Sequence, residues 1–490
     1  MLFNSYIFIF LFLPITFFIY FYLNTKRLTE ASKAFLVFAS LFFYSWWNIA
    51  YLPLILISML FNYTMGRELS KHTQKKKNYS PKVLLTIGVI ANLALLGYFK
   101  YADFFIENVN KVLHSDISLL HLALPLAISF YTFQQIAYLV DSYRKETQEY
   151  DFLNYAVFVT FFPQLIAGPI VHHAEMMPQF AKLKNKVIHY HHIALGLFVF
   201  SIGLFKKVVI ADSFAIWATQ GFDVEQTLTT LEGWVTSLSY TFQLYFDFSG
   251  YTDMAIGIAL LFNIKLPINF NSPYKATSIQ DFWRRWHITL SRFLKDYIYI
   301  PLGGNRKGDI RTYSNLFTTF LLGGIWHGAG WTFVLWGALH GLALMIHRAW
   351  QKLGLRMPTP VAWFITFNFI NIAWVFFRAT NFHDAMKVLK AMFHVDSGIF
   401  SKSTQFAHML HYHHPAFIYI KFNMANYMLV LIVLGFILTL FFKNVHQMQE
   451  KFQQKKNASI GESLFIGLLL GISLLTIAIN TSSAFLYFNF

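Results

Sequence analysis

Two histidines carry the first chemical suggestion in this chain. His327 stands in the run Gly323-Gly324-Ile325-Trp326-His327-Gly328-Ala329-Gly330-Trp331, within an otherwise apolar stretch. Ionisable side chains at hydrocarbon depth are costly, and they usually face a cavity or take part in chemistry. An imidazole titrates near working pH and in its neutral form takes a proton from a hydroxyl, as acyl transfer requires. The competing reading is a buried histidine hydrogen-bonded to a neighbouring helix. The flanking glycines favour function, because they permit close backbone approach by a ligand.

His287 closes the cluster Trp283-Arg284-Arg285-Trp286-His287. The segment from Asp281 to Leu290 has two readings. It is an interfacial amphipathic helix with tryptophans at headgroup level and arginines on phosphates. Alternatively, Arg284 or Arg285 attracts an anionic donor such as a nucleotide thioester, with His287 helping at a channel mouth. Asp247 and Asp253 lie six residues apart, on different helix faces, which argues against a paired-carboxylate catalyst. They are expected to bond to hydroxyls, amides or arginines that shape a cavity.

Other chemistries lack their signatures. With no cysteine there is no disulfide, thiolate site or cysteine nucleophile. Neither a phosphate loop nor a Gly-x-Ser-x-Gly nucleophile elbow is present. Gly303-Gly304-Asn305-Arg306-Lys307-Gly308 has the wrong spacing for phosphate and reads as a flexible turn with two cations. The groups His189, His191, His192 and His408, His411, His413, His414 match no zinc spacing, and no metal site is expected. His340 and His347 share a helix face and read as packing or interfacial.

These residues must be positioned by membrane helices. The 490 residues are 56% hydrophobic and only 13% charged, with a mean hydropathy of +0.46. The charged share is about half the soluble norm, which points to an all-α polytopic membrane protein. The net charge of +16 sits mainly in short segments between apolar runs, as in cytoplasmic loops facing anionic lipid rather than in a nucleic-acid site. Apolar runs recur from about 6–23 to about 463–480, several shorter than the ~20 residues of an upright span. Short runs suggest paired half-helices or re-entrant segments lining a cavity. The first run is expected to be a retained helix and not a signal peptide. No linker or repeat divides the chain, so 1–490 is expected to be one integral-membrane domain with its catalytic core at about 90–350.

Positive charge orients the runs. Lys26, Arg27 and Lys33 place the first loop inside, and the loop from about 380 to 426 falls outside together with the C-terminus. With Arg306, Lys307 and Arg311 at the cytoplasmic face, Trp326 lies about 14 residues or ~20 Å further along a helix. His327 is therefore expected well inside the ~30 Å hydrocarbon core, with His287 nearer the cytoplasm. The glycines around His327 are expected to form a turn.

Three segments together resemble the membrane-bound O-acyltransferase family: Phe282-Trp-Arg-Arg-Trp-His287-Ile-Thr-Leu-Ser, Tyr299-Ile-Pro-Leu-Gly-Gly-Asn-Arg-Lys-Gly308 and Leu322-Gly-Gly-Ile-Trp-His327-Gly-Ala. Upstream, Leu96–Tyr101, Ile128–Tyr131, Phe162–Pro169, Lys206-Lys207 with Ala211-Asp212, and Leu244–Ala255 extend the resemblance over nearly the whole chain, as does Phe485–Phe490. It is strongest to the bacterial alginate and peptidoglycan O-acetyltransferase branch. The resemblance implies a ring of transmembrane and re-entrant helices around a central tunnel, in a bacterial inner membrane. It implies His327 as catalytic base and His287 as a second important histidine. Trp326, Trp283, Arg284, Arg285, Asn305, Asp247 and Asp253 are expected to line the tunnel or bind donor or substrate. No bound cofactor is expected. Acetyl-CoA or another activated acetyl carrier is the implied donor, and a periplasmic or extracellular polysaccharide O-acetyltransferase the implied partner. D-alanyl transfer to teichoic acid ranks second, since that branch lacks the Pro-Leu-Gly-Gly-Asn-Arg-Lys-Gly turn. A transporter or flippase without chemistry is the alternative from another class, with Asp247 and Asp253 on a substrate path.

Overall fold

A computed structural model of the chain describes residues 1–71, 80–147, 151–394, 424–455, 459–480 and 486. Among these residues every regular element is helical. In chain order the α-helices are α1 (Leu13–Thr25), α2 (Thr29–Ser45), α3 (Leu52–Lys71), α4 (Pro81–Leu113), α5 (Ile128–Arg144), α6 (Phe152–Thr160), α7 (Phe162–Leu165), α8 (His173–Ala181) and α9 (Tyr190–Phe205). There follow α10 (Asp212–Thr219), α11 (Thr230–Leu261), α12 (Ile279–Arg285), α13 (Ile288–Leu294), α14 (Asp309–His327), α15 (Trp331–Lys352), α16 (Thr359–Arg378) and α17 (Phe382–Phe393). Last come α18 (Met424–Leu440), α19 (Val445–Gln453) and α20 (Ile460–Ile479).

Six helical segments are long and apolar enough to cross a membrane, and a bent pair near the C-terminal end raises the number to as many as seven. The six are Phe8–Thr25, Ile49–Lys71, Pro81–Leu113, Tyr190–Val224, Thr359–Arg378 and Ile460–Ile479. A chain with so many spans is a multi-pass membrane protein. The apolar runs near 234–262 and 313–347 became α11, α14 and α15, none of which is among the six. Their composition is diluted by polar side chains and glycines that face protein.

The helices divide into two compact units. One comprises Met1–Phe205, Gly250–Asn269 and Val445–Phe490. Its outer faces are apolar, with Phe10, Phe18, Ile57, Ile90, Leu464 and Leu468 exposed, as a lipid-facing surface requires. Inside it, the amides of Asn62 on α3 and Asn92 on α4 bond to each other at 3.0 and 2.6 Å, the kind of interhelical polar pair that ties helices in lipid. The other unit comprises Lys206–Ser249 and Phe270–Asn444. It holds both motif histidines.

Candidate functional site

In the second unit, α14 and α15 form a tight helical hairpin around Gly328–Gly330, and it is this hairpin that sets His327. Glycines let the two backbones touch. A Cβ on Gly324 would lie 2.5 Å from the Phe333 carbonyl oxygen and 2.7 Å from Gly337 Cα, and one on Gly337 would lie 2.6 Å from the Phe320 oxygen. At Gly328 the place of a Cβ is taken by the Phe333 ring, 2.2 Å away. The expected glycine turn is thus confined to Gly328–Gly330, since Gly323 and Gly324 are helical. At Gly324 and Gly328, where ligand approach was expected, and at Gly337, the missing Cβ makes room for the packing of the hairpin itself.

His327 is the last residue of α14 and is buried. Three aromatic rings enclose it: Trp326 at 4.9 Å, Trp336 of α15 at 5.1 Å and Phe377 of α16 at 5.0 Å between centroids. One turn beyond Trp336, His340 packs tilted against the Trp336 ring at 4.5 Å. The Trp283 indole N–H donates to His340 Nδ1 at 3.1 Å. A continuous line of ring contacts therefore runs from Trp283 on α12 through His340 and Trp336 to His327. His340, expected to be packing or interfacial, is fully buried and holds the motif segment of α12 against α15. Its signal in the sequence is a histidine one turn from a tryptophan within an apolar helix, which by itself is ambiguous.

His287 lies at the break between α12 and α13. Ser278 starts α12 by accepting from the Asp281 amide at 3.1 Å, and the helix ends three residues before Ile288. His287 makes the turn in the left-handed region, with φ 43° and ψ 55°, a conformation that costs a non-glycine residue of the order of 1–3 kcal/mol. Its ring is fully buried, edge-on to Phe248 at 4.8 Å. Burial pushes the imidazole down to about 3, so it is neutral across physiological pH.

Trp283 and Trp286 are buried too, which removes the reading of this segment as a surface helix with headgroup-level tryptophans. The arginines differ: Arg284 is exposed, whereas Arg285 Nε donates to Asp281 at 2.9 Å and is half-buried. Asn305 is exposed on the glycine-rich turn. That turn is held by Asn315, whose amide donates to the Gly304 carbonyl at 2.9 Å.

Asp247 belongs to a charge network that its sequence neighbourhood concealed. Lys207 Nζ is 2.7 Å from Asp247 and 2.7 Å from Asp212. A lysine was not among the partners expected for Asp247. Lys207 comes from a π-helical segment, Lys206–Ala211, and such bulges re-aim side chains at functional or strained sites. Lys206 next to it reaches Ser249 at 3.4 Å and the face of Tyr245 at 5.8 Å. Asp247 also ends a polar face of α11 at helical spacing: Thr236, Ser239, Tyr240, Gln243 and Asp247, all buried. This stripe went unread in the sequence, although its spacing of three and four is visible there. Asp253, by contrast, belongs to the first unit.

Among the described residues no three or more His, Asp or Glu side chains gather as a metal ion would need. In the first unit His192 Nδ1 pairs with Asn263 at 2.8 Å. That unit also has a polar cavity of about 580 Å³ lined by Glu30, Lys33, Asn154, His173 and Lys186. The His408–His414 group lies outside the described residues.

Comparison with known proteins matches the chain to a family. Residues 41–383 match the model of MBOAT, the membrane-bound O-acyltransferase family. Relatives include a peptidoglycan O-acetyltransferase of Helicobacter pylori, 50% identical over 100% of this chain and 98% of that one. A probable alginate O-acetylase of Pseudomonas putida is 44% identical over 80% of each chain. A teichoic acid D-alanyltransferase of Bacillus subtilis is 28% identical over 53% of this chain and 69% of its own. The motif histidines His287 and His327, and the helices that hold them, all fall inside the matched region. The chain belongs to the membrane-bound O-acyltransferase family and is an O-acyltransferase of a multi-pass membrane type.

Proposed function

We propose that this protein moves acetyl groups across a bacterial inner membrane for O-acetylation of the cell-envelope polysaccharide, with peptidoglycan as the polymer ultimately modified. The observation that carries this reading is the end-to-end match to a peptidoglycan O-acetyltransferase. The alginate relatives match over four-fifths of the chain, which makes alginate the second reading. D-alanyl transfer is disfavoured by a likeness limited to about half the chain.

In this reading the donor is cytoplasmic acetyl-CoA or another activated acetyl carrier. Exposed Arg284, with Arg306 and Lys307 on the glycine-rich turn, attracts its phosphates, and Asn305 lies on the same turn. His287 and Trp283 stand on the cytoplasmic side of a tunnel through the helices. His327 acts as general base. Its neutral imidazole takes the proton of the attacking nucleophile as the acyl carbon–oxygen bond forms, then returns a proton to the leaving thiolate. The aromatic enclosure excludes water, which limits hydrolysis of the acyl group. A periplasmic or extracellular transferase receives the acetyl group and places it on the polysaccharide hydroxyl.

The test is His327→Ala in the native host, with O-acetyl esters on purified peptidoglycan measured beside protein abundance in the membrane. Ester content should fall to the level of a deletion strain at unchanged abundance. Normal ester content would remove His327 from the mechanism. Esters lost from an exopolysaccharide, with peptidoglycan unaffected, would replace the first polymer by the second.

A further inference from the structure

In the ring cluster that reaches His327, two buried N–H groups have no acceptor among the described residues. Trp283 fixes the first of them. An indole nitrogen donates and never accepts, so the 3.1 Å contact from Trp283 Nε1 leaves His340 Nδ1 as acceptor. The neutral ring then carries its proton on Nε2. His340 is fully buried, and no described residue accepts from its Nε2. The second group is the Trp336 indole N–H, one turn earlier on α15, itself buried and likewise without an acceptor among the described residues. The two rings lie 4.5 Å apart, and the Trp336 ring also packs against His327 at 5.1 Å. The large majority of buried polar groups in native proteins are satisfied, and each unsatisfied one requires an explanation.

We propose that the Trp336 and His340 N–H groups are donors to the acyl group, binding the carbonyl oxygen on which negative charge develops during transfer. This rests on the acyl-transfer reading of His327 given above. The nucleophile's oxygen bonds to the acyl carbon while its proton passes to the His327 imidazole. The carbonyl π pair moves to the oxygen, which these donors stabilise. The carbonyl then re-forms, the carbon–sulfur bond breaks, and the His327 imidazolium protonates the departing thiolate. His340 is unsuited to be the base, because its Nδ1 lone pair is already engaged by Trp283. A pair of neutral donors in a water-poor aromatic cluster suits an oxyanion, since such donors act at full strength there and need no reorganisation.

The experiment uses the purified full-length protein with acetyl-CoA as probe, following thiol release, together with ester content in cells. Trp336→Phe keeps the ring and removes the N–H. Its kcat should fall about 10²-fold or more, the usual loss for one oxyanion donor, with KM little changed. His340→Asn keeps an acceptor near Nδ1 for Trp283 but offers no donor at the Nε2 position, and it should fall likewise. His340→Gln places an amide N–H near Nε2 and gives up the acceptor, and it should retain more activity than the Asn variant. A merely structural His340 predicts the reverse order, Asn above Gln. Unchanged kcat in Trp336→Phe, or Asn above Gln, would overturn the proposal. If the wild type releases no thiol from acetyl-CoA while its cells carry the esters, acetyl-CoA is the wrong donor and the same ranking is read from ester content. Absence of protein-dependent esters from wild-type cells would overturn both this proposal and the function beneath it.

Discussion

The Lys207 network should be the most sensitive charge cluster in the second unit, and the asymmetry of its parts makes the prediction specific. One ammonium, 4% exposed, faces a carboxylate that is 2% exposed on Asp247 and another that is 17% exposed on Asp212. Lys207→Met leaves two carboxylates facing each other with no cation between them. Breaking a buried pair from one side costs about 3–5 kcal/mol, because the surviving charge is desolvated and uncompensated. Here two survive, so the upper end applies. Asp212→Asn leaves a matched Lys207–Asp247 pair and removes the more accessible partner, a loss of about 1.5 kcal/mol, the low end for a hydrogen bond between charged groups. Asp247→Asn falls between, since Lys207 keeps Asp212. The double variant Lys207→Met with Asp247→Asn leaves only Asp212, the carboxylate closest to solvent, and should recover about 2 kcal/mol of the Lys207→Met loss as a coupling energy. The assay is the midpoint of thermal inactivation in detergent, checked against abundance in membranes. Equal loss from Lys207→Met and Asp212→Asn would refute this account, as would single losses that simply add in the double variant.

Two further outcomes follow from the hairpin and from the strained histidine. Gly324→Ala should cost about 1–3 kcal/mol by overpacking and, by pushing α15 and Trp336 away from His327, reduce acyl transfer about 10²-fold. Gly323→Ala one residue away should be nearly silent, because its Cβ would meet only the movable Leu294 side chain at 3.3 Å; equal effects in an activity assay would contradict the packing account. His287, held near 3 when folded and near 6.5 when unfolded, binds its proton only in the unfolded chain over that window. Stability should thus decline as pH drops below about 6.5, by up to ~1.4 kcal/mol per pH unit. Melting points of wild type and His287→Gln at pH 7.5 and 5.5 check this: the variant's curve should be flatter by that one group's share.

The candidate site was picked out in the sequence by rare residues. A histidine among tryptophans and glycines, and a second one behind a Trp-Arg-Arg-Trp motif, stand out in a chain with 13% charged residues. Helicity and multiple spans follow from apolar length alone. What the sequence hid was pairing at a distance. Lys207 and Asp247 are 40 residues apart and meet only because a π-helical segment turns the lysine toward α11. His340 was assigned to packing because helix periodicity locates a face without naming what faces it; its partner Trp283 is 57 residues away. The glycines misled for a related reason. A missing Cβ serves a ligand or a neighbouring backbone equally well, and only the Phe333 carbonyl at 2.5 Å decides between them.

In the proposed mechanism the buried charge cluster of the second unit is separate from the reacting groups. Lys207, Asp212 and Asp247 are locked into a network of salt bridges that fixes α11 against the π-helical segment, while His287, His327 and His340 each pack against aromatic rings. This separation matters for an acyl transferase working away from water. A carboxylate next to a general base would hold it as an ion pair in a medium of low dielectric, where charge is expensive to create and to dismiss. In the proposed mechanism a base in aromatic walls that rests neutral holds no charge, so charge appears only as the acyl carbon is attacked and disappears when the thiolate leaves. The groups best suited to that brief charge are neutral N–H donors such as those of Trp336 and His340. On this argument a carboxylate introduced at Phe377, which packs against His327 at 5.0 Å, should slow transfer despite supplying a textually ordinary partner for a catalytic histidine, because it would stabilise the imidazolium in the resting enzyme.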